Sequence, residues 1–600
     1  MSTREGGNAK SSANSLWRSR VRDSADRIAL RFSRAGAWES LTWGQADQAV
    51  REIAAGLLAL GLARGDRVAL LSQTRLEWLL CDVAIATAGL VSVPIYPSST
   101  SEQCAFIIED SGASTVIAED GQQIAKLGAL RTNLPPVRVI CIEAAPTNDG
   151  SAETMPSLSA LRQAGRTWIA ANPGVLELQA DAVKPSDCFT IVYTSGTTGQ
   201  PKGVVLTHSN IVTSFESAVR AFNLRPEDVQ YVFLPLAHVL GREVEWAPII
   251  VGCEIAFAES MASIKYDLMK VRPTFMAGVP RIFEKLYTAV QAGSQQGNRV
   301  KQFLVRWAFG IATRYSVTTR AKKSAPFGLR LRYGLADKLV LAKLRKRLGL
   351  DRCRFLISGG APLSCEIAEF FHSIGLLILE GYGLTETAAA AFVNRWNNFR
   401  FGSVGPALDV IEFRLAEDGE IVLRGPSIFA SYHGNQKATA EAFDAEGWFA
   451  TGDIGLIEDG FLHIVDRKKD ILITAGGKKV APQKIENALK AHSSLLSQVV
   501  VLGDKRPHCV ALVTPSQSAV RQFGSGDAAK AASSLELRAS VEKIVAEINA
   551  TLASYETVKT FAILPADFAE LTGELTPSLK VKRDVVVSKF ASTIDSLYSS

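Results

Sequence analysis

Short β-rich runs alternate with helical patterns through most of the first 465 residues, and this alternation limits the possible folds more than any other feature. Residues 40–62 place apolar side chains every three to four positions, as an amphipathic helix does, and RVALLS (67–72) follows as a buried strand. Further short β runs are STVIAED, RVICIE and CFTIVYTS. This order predicts the α/β class, with helices layered on largely parallel sheet.

The pattern of predicted helices and strands changes after Thr451. In addition, 600 residues are too many for one hydrophobic core. Residues 460–492 read as a strand, a charged turn, a glycine pair and a helix started by Pro482. Shorter β runs and a helix near 540–552 follow, which predicts a small α+β unit. We therefore expect four parts, in chain order: a flexible lead-in (1–16), a large domain of layered sheets and helices (17–465), a hinge (466–469) and a small mobile C-terminal domain (470–600).

Composition narrows the class of protein. The apolar fraction of 47% and the charged fraction of 21% are typical of a soluble globular protein. No run of 18 uncharged apolar residues and no apolar leader is present, so a cytoplasmic location is expected. The eight cysteines show no CxxC or zinc-finger spacing, which argues against a cysteine-based metal cluster.

The net charge of +6 is unevenly distributed along the chain. Residues 299–354 hold sixteen Lys and Arg against two acids, a net +14, so the remainder carries −8. Aromatic and apolar side chains are interleaved with this charge, a pattern that favours contact with an anionic membrane surface, here the inner face, or with another polyanion. The alternative is a solvated helical face. No nucleic-acid-binding motif accompanies the basic segment, so nucleic acid is not an expected partner.

The most informative stretch is YTSGTTGQPKG (193–203), which lies between two β-rich runs. Its glycines and hydroxyl side chains allow backbone N–H groups to surround phosphate oxygens, and Lys202 adds positive charge. The spacing is not that of a Walker A loop, because Pro201 stands where that motif requires glycine before its lysine. Taken by composition alone, the segment would be an ordinary hairpin loop.

These eleven residues resemble, at essentially every position, the phosphate-binding signature of the acyl-adenylate-forming superfamily, which contains acyl-CoA synthetases, firefly-type luciferases and peptide-synthetase adenylation domains. Similar motifs follow in family order from about residue 17 onward, and the whole is most similar to bacterial long-chain fatty-acyl-CoA synthetases. The further motifs are LPLAHVLGR (234–242), SGGAPL (358–363), EGYGLTET (380–387), WFATGD (448–453), VDRKKD (465–470) and LTPSLKVKR (575–583).

The resemblance implies a role for individual residues. Tyr382 would stack on adenine, Thr385 would contact the α-phosphate, and both Asp453 and Arg467 would bind the ribose. Residues implied in nucleotide binding are Thr194, Ser195, Gly196, Thr197, Thr198, Gly199, Lys202, Gly359, Gly360, Ala361, Glu380, Gly381, Tyr382, Gly383, Thr385, Asp453 and Arg467. Glu386 and Thr194 would hold Mg²⁺, which prefers oxygen ligands shared with nucleotide phosphates.

Three residues are implied in the chemistry itself: Lys580, Lys202 and His238. His238 would lie near the carboxylate being activated, and Lys469 would be the hinge residue. Lys582 is the alternative to Lys580, because the glycine usual before the catalytic lysine is replaced by Leu579. The family's aromatic gate residue, four positions after the histidine, is replaced by Arg242, so no gate is assigned.

The implied activity is ATP-dependent activation of a long-chain fatty acid through an acyl-adenylate, followed by transfer of the acyl group to coenzyme A. ATP, Mg²⁺, coenzyme A and the fatty acid are then the expected cofactors and partners. A fatty-acyl-AMP ligase or an aryl-CoA ligase of the same superfamily is the nearest alternative. A non-catalytic acyl- or nucleotide-binding protein at membranes is an alternative from another class. Oligomeric state, preferred chain length and pathway are left open.

Overall fold

A computed structural model describes residues 11–128, 137–143, 156–194, 200–294, 296–321, 323–493, 495–570, 572–576 and 580–599. In chain order its strands are β1 (Ile28–Arg34), β2 (Ala37–Thr42), β3 (Arg67–Leu71), β4 (Val91–Ile95), β5 (Thr115–Ala118), β6 (Arg138–Cys141), β7 (Cys188–Thr194), β8 (Lys202–Thr207), β9 (Val229–Val232), β10 (Glu254–Phe257), β11 (Phe275–Gly278), β12 (Phe355–Ser358), β13 (Ile378–Leu384), β14 (Ala389–Val393), β15 (Glu412–Leu415), β16 (Glu420–Arg424), β17 (Ser431–Tyr432), β18 (Phe449–Glu458), β19 (Phe461–Arg467), β20 (Leu472–Ile473), β21 (Lys479–Val480), β22 (Leu496–Leu502), β23 (Cys509–Pro515) and β24 (Val558–Ile563).

The α-helices, in chain order, are α1 (Ala13–Ser24), α2 (Trp43–Ala59), α3 (Leu76–Thr87), α4 (Ser101–Ser111), α5 (Gly121–Gly128), α6 (Leu158–Ala171), α7 (Val175–Asp181), α8 (His208–Phe222), α9 (Val239–Val251), α10 (Ile264–Val271), α11 (Pro280–Ser294), α12 (Arg299–Arg320), α13 (Phe327–Ala336), α14 (Ala342–Arg347), α15 (Cys365–Ser373), α16 (Gln436–Ala442), α17 (Pro482–His492), α18 (Gln517–Gly524), α19 (Ala528–Ala532), α20 (Leu535–Asn549), α21 (Arg583–Lys589) and α22 (Ala591–Ser596). A π-helical turn (Asp337–Leu341) joins α13 to α14, and a 3₁₀ turn (Thr385–Thr387) follows β13.

Two large sheets organise the first part of the chain. One has the strand order β17-β8-β7-β4-β3-β5-β6, and the other β14-β13-β12-β11-β9-β10-β1-β2. Their inner strands are parallel, and antiparallel pairs occur at the edges, as at β7–β8 and β13–β14. Their inner strands are largely buried, as parallel strands covered by helices on both faces are. A four-stranded sheet, β15-β16-β18-β19, completes this part. The expected α/β class is confirmed.

The first helix corrects the expected lead-in. α1 begins at Ala13, inside the segment 1–16, because the side chain of Ser12 accepts a hydrogen bond from the backbone N–H of Ser15 (3.2 Å) and caps the helix. Ala13 and Trp17 are fully buried, and the Trp17 ring packs edge-on against Trp43 at 5.6 Å. The rest of the lead-in prediction, residues 1–10, lies outside the described residues.

The last part of the chain is a separate small unit with its own apolar core. A three-stranded sheet, β22-β23-β24, packs with α17, α18 and α20 around buried residues that begin at Leu472. The core of the large unit ends at Leu462, with Ile464 packed against it. The chain therefore passes between the two cores across residues 465–471, which include the segment predicted as a hinge.

Candidate active site

A cavity of about 710 Å³ opens where strands of both large sheets end. Carboxyl ends of parallel strands are the usual ligand site of open α/β sheets. Here the walls come from the segments that follow β7, β9, β11, β12 and β13, and the small unit supplies the remaining wall. All of the site residues predicted from the sequence, where described, line this cavity.

The phosphate-loop candidate is the connection of an antiparallel hairpin. Thr194 at the end of β7 pairs with Lys202 at the start of β8. The predicted residues Ser195, Gly196, Thr197, Thr198 and Gly199 lie outside the described part of the chain. Lys202 is exposed, and its ammonium lies 4.9 Å from the centroid of the Tyr432 ring, a cation–π arrangement that directs its charge along one wall of the cavity.

The segments expected to cover adenine depend on close backbone approaches. Gly360, which follows β12, has a φ of +82°, a conformation that L side chains rarely adopt. At Gly383 a Cβ atom would lie 1.7 Å from the carbonyl oxygen of Ala389, so only glycine fits. Both positions line the cavity together with Gly359, Ala361 and Gly381.

Glu380 lies behind this wall and is largely buried. Its carboxyl accepts a hydrogen bond from the backbone N–H of Leu363 (3.0 Å), which fixes SGGAPL against EGYGLTET. Burial raises the pKa of Glu380 to about 8, so the group is neutral at neutral pH. A neutral carboxyl here positions the wall without placing a negative charge beside a nucleotide.

Tyr382, Asp453 and Arg467 form one hydrogen-bonded group. The Tyr382 hydroxyl donates to Oδ2 of Asp453 (2.6 Å), and Nε of Arg467 lies 3.2 Å from Oδ1 of the same carboxylate. Asp453 is buried and pairs directly with Arg467 across β18 and β19. Both oxygens of Asp453 keep a further lone pair, so the carboxylate can still accept hydrogen bonds from two ribose hydroxyls.

Glu386 lies on the 3₁₀ turn next to Thr385, and the Tyr432 hydroxyl donates to its carboxylate (2.9 Å). Thr194 and Glu386 both line the cavity, so a hydroxyl and a carboxylate oxygen are available there. These oxygens fit Mg²⁺, which takes few protein ligands and keeps phosphate oxygens and waters. Among the described residues no cluster of three or more His, Cys, Asp or Glu side chains could hold a metal.

His238 precedes α9 and caps it. Its Nδ1 accepts a hydrogen bond from the backbone N–H of Leu240 (3.1 Å), so the neutral ring carries its proton on Nε2. Burial, with a further contribution from the Lys580 ammonium, lowers the pKa of His238 to about 4. The imidazole is therefore a neutral hydrogen-bond donor at the cavity wall.

Lys580 is the contribution of the small unit to this site. Its side chain is exposed to the open cavity, yet the protein walls surround it, and this desolvation lowers the pKa of Lys580 to about 8. The nearby Arg467 lowers the pKa further, whereas Asp453 and Glu386 act in the opposite direction. The ammonium thus lies among the residues expected to bind the nucleotide. Lys582 lines the same cavity at the start of α21, and its backbone N–H donates to the carbonyl of Glu574 (2.7 Å).

The junction residues have unequal attachments. Lys468 is tied to the large unit, because its ammonium lies 2.6 Å from Asp418 and 2.8 Å from Glu420. The next residue, Lys469, lies in an exposed turn at the edge of the cavity. Asp466 is buried and accepts a hydrogen bond from the backbone N–H of Gln483 (3.0 Å) in the first turn of α17. Lys469 is therefore the residue that follows the last ion pair with the large unit.

An apolar channel extends from the His238 end of the cavity. It runs between α8, α9 and the strands β9, β11, β12 and β14. Its apolar lining residues are Ala218, Val219, Phe222, Val239, Leu240, Val244, Ala247, Phe275, Ile357, Ala389, Ala390 and Val393. A channel with this apolar lining fits an alkyl chain.

Sequence reasoning missed the buried charges on α9. Arg242, at the position of the absent gate residue, points away from the channel and is fully buried. Its guanidinium bonds both oxygens of Asp82 on α3 (2.5 and 2.6 Å) and the Thr190 hydroxyl (2.6 Å). The signal was present in REVEW (242–246), where charged residues interrupt an otherwise apolar helix.

The comparisons with known proteins agree with this geometry. The AMP-binding enzyme family profile matches residues 17–433, and the profile of the AMP-binding enzyme C-terminal domain matches residues 469–600. The chain is 38% identical over 590 residues to the long-chain-fatty-acid–CoA ligase FadD15 of Mycobacterium bovis, with 96% of this chain and 95% of that protein covered. It is 32% identical to the human long-chain-fatty-acid–CoA ligase ACSBG1, with 96% and 83% covered.

Solved structures share the fold at lower identity. The anthranilate CoA ligase AuaEII in complex with anthranoyl-AMP has a TM-score of 0.73 at 19% identity, covering 97% of this chain and 98% of that one. The adenylation domain of a carboxylate reductase from Mycobacterium chelonae has a TM-score of 0.74 at 22% identity, covering 99% and 92%. At these identities the likeness concerns the fold alone.

Proposed function

The chain belongs to the AMP-binding enzyme family, and from this premise we propose that it joins a long-chain fatty acid to coenzyme A. The acid is first activated as an acyl-adenylate at the expense of ATP, with release of pyrophosphate, and AMP leaves when the thioester forms. One observation carries the proposal: Lys580 of the small unit enters the cavity that Glu386, Asp453 and His238 line, and an apolar channel leads away from it. The similarity to long-chain-fatty-acid–CoA ligases supports the same choice of substrate.

Different residues of the chain stabilise different groups in the first half-reaction. A carboxylate oxygen attacks the α-phosphorus of ATP, the bond to the bridging oxygen of pyrophosphate breaks, and negative charge gathers on the α-phosphate. Lys580 and Lys202 stabilise that charge, and the neutral His238 donates from Nε2 toward the carboxylate. Mg²⁺, held by Glu386 and Thr194, would supply further neutralisation of the phosphates.

The second half-reaction uses the nucleophile of the substrate. The coenzyme A thiolate attacks the acyl carbonyl and displaces AMP, so no serine or cysteine of the chain is needed. Because Lys580 occupies the nucleotide site in this arrangement, the small unit has to turn about Lys469 to open a path for the thiol. The closed arrangement of the site thus serves adenylate formation, and the open arrangement serves thioester formation.

The direct test incubates the purified protein with ATP, Mg²⁺, coenzyme A and a panel of fatty and aromatic acids. We expect long-chain acyl-CoA, AMP and pyrophosphate in equal amounts, identified by mass spectrometry. Product only with acyl carrier protein as acceptor would identify a fatty-acyl-AMP ligase, and product only from aromatic acids an aryl-CoA ligase. If ATP is never cleaved between its α and β phosphorus atoms, the chain is a binding protein.

Lys580→Ala separates the half-reactions. Removal of the ammonium should slow acyl-adenylate formation by about a hundred- to a thousandfold, because one electrostatic stabiliser of the transition state is lost. Thioester formation from supplied acyl-AMP should be largely retained. Lys582→Ala is the matched control, two residues away on the same wall. Equal loss of both steps in Lys580→Ala, or a larger loss in Lys582→Ala, would contradict the assignment of Lys580.

We further propose that the basic segment 299–354 docks on an anionic lipid surface. The stripe Phe327, Leu331, Leu335 and Leu339 is spaced by four residues along α13 and the π-helical turn, and these side chains are 80%, 66%, 51% and 42% exposed. Arg330, Arg332 and Lys338 flank the stripe and are also exposed. An apolar stripe edged with cations is the pattern of an interfacial helix. In the described residues, no helix has both the length and the apolar character needed to cross a bilayer.

Vesicle sedimentation tests this docking. We expect binding to vesicles of phosphatidylserine and phosphatidylcholine, and loss of most binding at high salt or with neutral vesicles. Leu331→Ser with Leu335→Ser should weaken binding about tenfold or more. Leu535→Ser, a 79% exposed leucine on α20, is the control and should bind normally. Binding that is unaffected by the double substitution would contradict the proposal.

A further inference from the structure

The acyl channel is not entirely apolar. Two polar side chains line it: Gln230 on β9 and Glu243 on α9. Gln230 is 0% exposed, and neither its amide nitrogen nor its amide oxygen has a hydrogen-bond partner among the described residues. Glu243 is 6% exposed, and its Oε1 also lacks a partner.

The helical register places Glu243 on the channel wall. The α9 residues that line the channel are Val239, Leu240, Glu243, Val244 and Ala247, which form one face of the helix. Arg242, Glu245 and Trp246 lie on the opposite face, where Arg242 and Trp246 bond Asp82. Glu243 therefore interrupts an otherwise apolar face. Burial raises the pKa of Glu243 to about 8, so it is a neutral carboxyl that can both donate and accept a hydrogen bond.

Buried polar groups without partners destabilise a protein, and a channel for a plain alkyl chain gains nothing from them. An alkyl chain would leave both groups unsatisfied, whereas an oxygen atom on the chain would supply a partner to whichever of them it reaches. The nearest backbone donor, the N–H of Ala390, serves only part of the Glu243 carboxyl.

We infer that the channel selects an oxygenated fatty acid, in which a hydroxyl or keto group within the chain bonds Glu243 or Gln230. This inference rests on the proposed function, because it names the substrate class of the same site. Glu243 lies five residues beyond His238, about 7.5 Å along the helix at 1.5 Å per residue. An extended alkyl chain with C–C bonds of about 1.5 Å covers that distance in roughly six carbons. The oxygen is therefore expected near the middle of a long chain.

The test compares kcat/KM for acyl-CoA formation from hexadecanoic acids that are plain, or that carry a hydroxyl or keto group at different carbons. The measured quantity is the ratio of an oxygenated acid to the plain acid. We expect a ratio of at least ten for oxygen in the middle of the chain and near one for oxygen at the terminal carbons. A site that hydrogen-bonds a substrate oxygen discriminates strongly against the analogue that lacks it.

Variants assign the discrimination to the two side chains. At least one of Glu243→Leu and Gln230→Leu should lower the ratio at least tenfold while raising kcat/KM for the plain acid. Glu243→Gln keeps a donor and an acceptor and should hold the ratio within about threefold. Glu245→Gln is the matched control, because Glu245 is an equally buried acid with unpartnered oxygens on the other face of α9. Thermal unfolding should show that all four variants fold, since each removes a buried acid or amide rather than apolar packing.

Three outcomes decide the inference. A wild-type ratio near one at every position, or a ratio that both leucine variants leave unchanged, overturns it and leaves the proposed function intact. The second of these is also the result expected if the two groups bind only buried water. If no acid of either kind is converted, the proposed function itself fails, and the inference fails with it.

Discussion

At the scale of single residues, the charge of Lys580 is set by its surroundings. The enclosed position of Lys580 and its proximity to Arg467 bring its pKa down to about 8, from 10.5 for an isolated lysine. The ammonium is present below that pKa and is lost as the pH rises through it. A group that stabilises a transition state only when protonated thus titrates close to physiological pH.

We expect kcat/KM for acyl-adenylate formation to fall about tenfold per pH unit above pH 8, because this parameter reports the free enzyme. ATP–pyrophosphate exchange across pH 6.5–10 measures it. In Lys580→Arg the charge persists over that range, so any activity that remains should decline less steeply, and only as Glu380, whose pKa is also about 8, loses its proton. An identical decline in Lys580→Arg would mean that another group titrates.

Which residues line the cavity was predictable where a motif defines them, and not where only packing does. The motifs were sufficient to identify five residues that line the cavity: Thr194, Tyr382, Glu386, Asp453 and Lys580. Each of them lies in a short stretch with a characteristic order of residues. Gln230 and Glu243 belong to no motif. A lone polar residue in an apolar helix or strand reads as a surface position until the packing partners are known, so sequence alone could not place them in the channel.

At the scale of elements, α9 serves two purposes with two faces. One face lines the acyl channel, and the other is fixed to α3 by the fully buried pair of Arg242 and Asp82. Arg242 also lies 4.6 Å from the Phe189 ring centroid. Breaking a buried pair by removing one partner leaves an uncompensated charge, whereas removing both is far less costly.

Arg242→Met should therefore destabilise the protein by about 3–5 kcal/mol. Asp82→Leu with Arg242→Met should recover most of this loss, and the non-additivity measures the pairing. Chemical denaturation of the wild type, both single variants and the double variant gives the four free energies of unfolding. Strictly additive losses would show that the pair has no coupling.

The element order was largely predictable, and its boundaries were not. The strands at 67–71, 115–118 and 188–194 and the helix begun by Pro482 agree with the sequence periodicity. α1 was missed because its opening residues are polar and small, and what fixes them is tertiary: Ser12 caps the helix and Trp17 is covered by Trp43. Long-range burial of this kind leaves little trace in a short window of sequence.

At the scale of the whole molecule, the two units have separate cores joined by a short connection. The apolar core of the large unit ends at Leu462, and that of the small unit begins at Leu472. The small unit contributes Lys580 to the shared cavity, and Arg281 of the large unit lies 3.9 Å from Asp567 of the small one. Folding of the large unit should not depend on the small one, whereas catalysis should.

A chain that ends at Lys468 tests this independence. We expect a single cooperative unfolding transition by circular dichroism and retained nucleotide binding, since the ion pairs of Lys468 with Asp418 and Glu420 are kept. Acyl-adenylate formation should fall about as far as in Lys580→Ala. Loss of the cooperative transition would show that the small unit completes the core of the large one.

Because one face of α9 is fixed, each residue on its other face lies at a set distance from His238, where the acid would be activated. Each further helical turn adds about 5.4 Å to that distance. Under the inferred selectivity, the helical turn that carries the Glu243 carboxyl would determine which chain position of the oxygen is preferred. Moving the carboxyl group by one turn, from residue 243 to residue 247, should move the preferred oxygen position farther from the acid end of the chain. The regioselectivity would then follow from the number of residues between His238 and the carboxyl group.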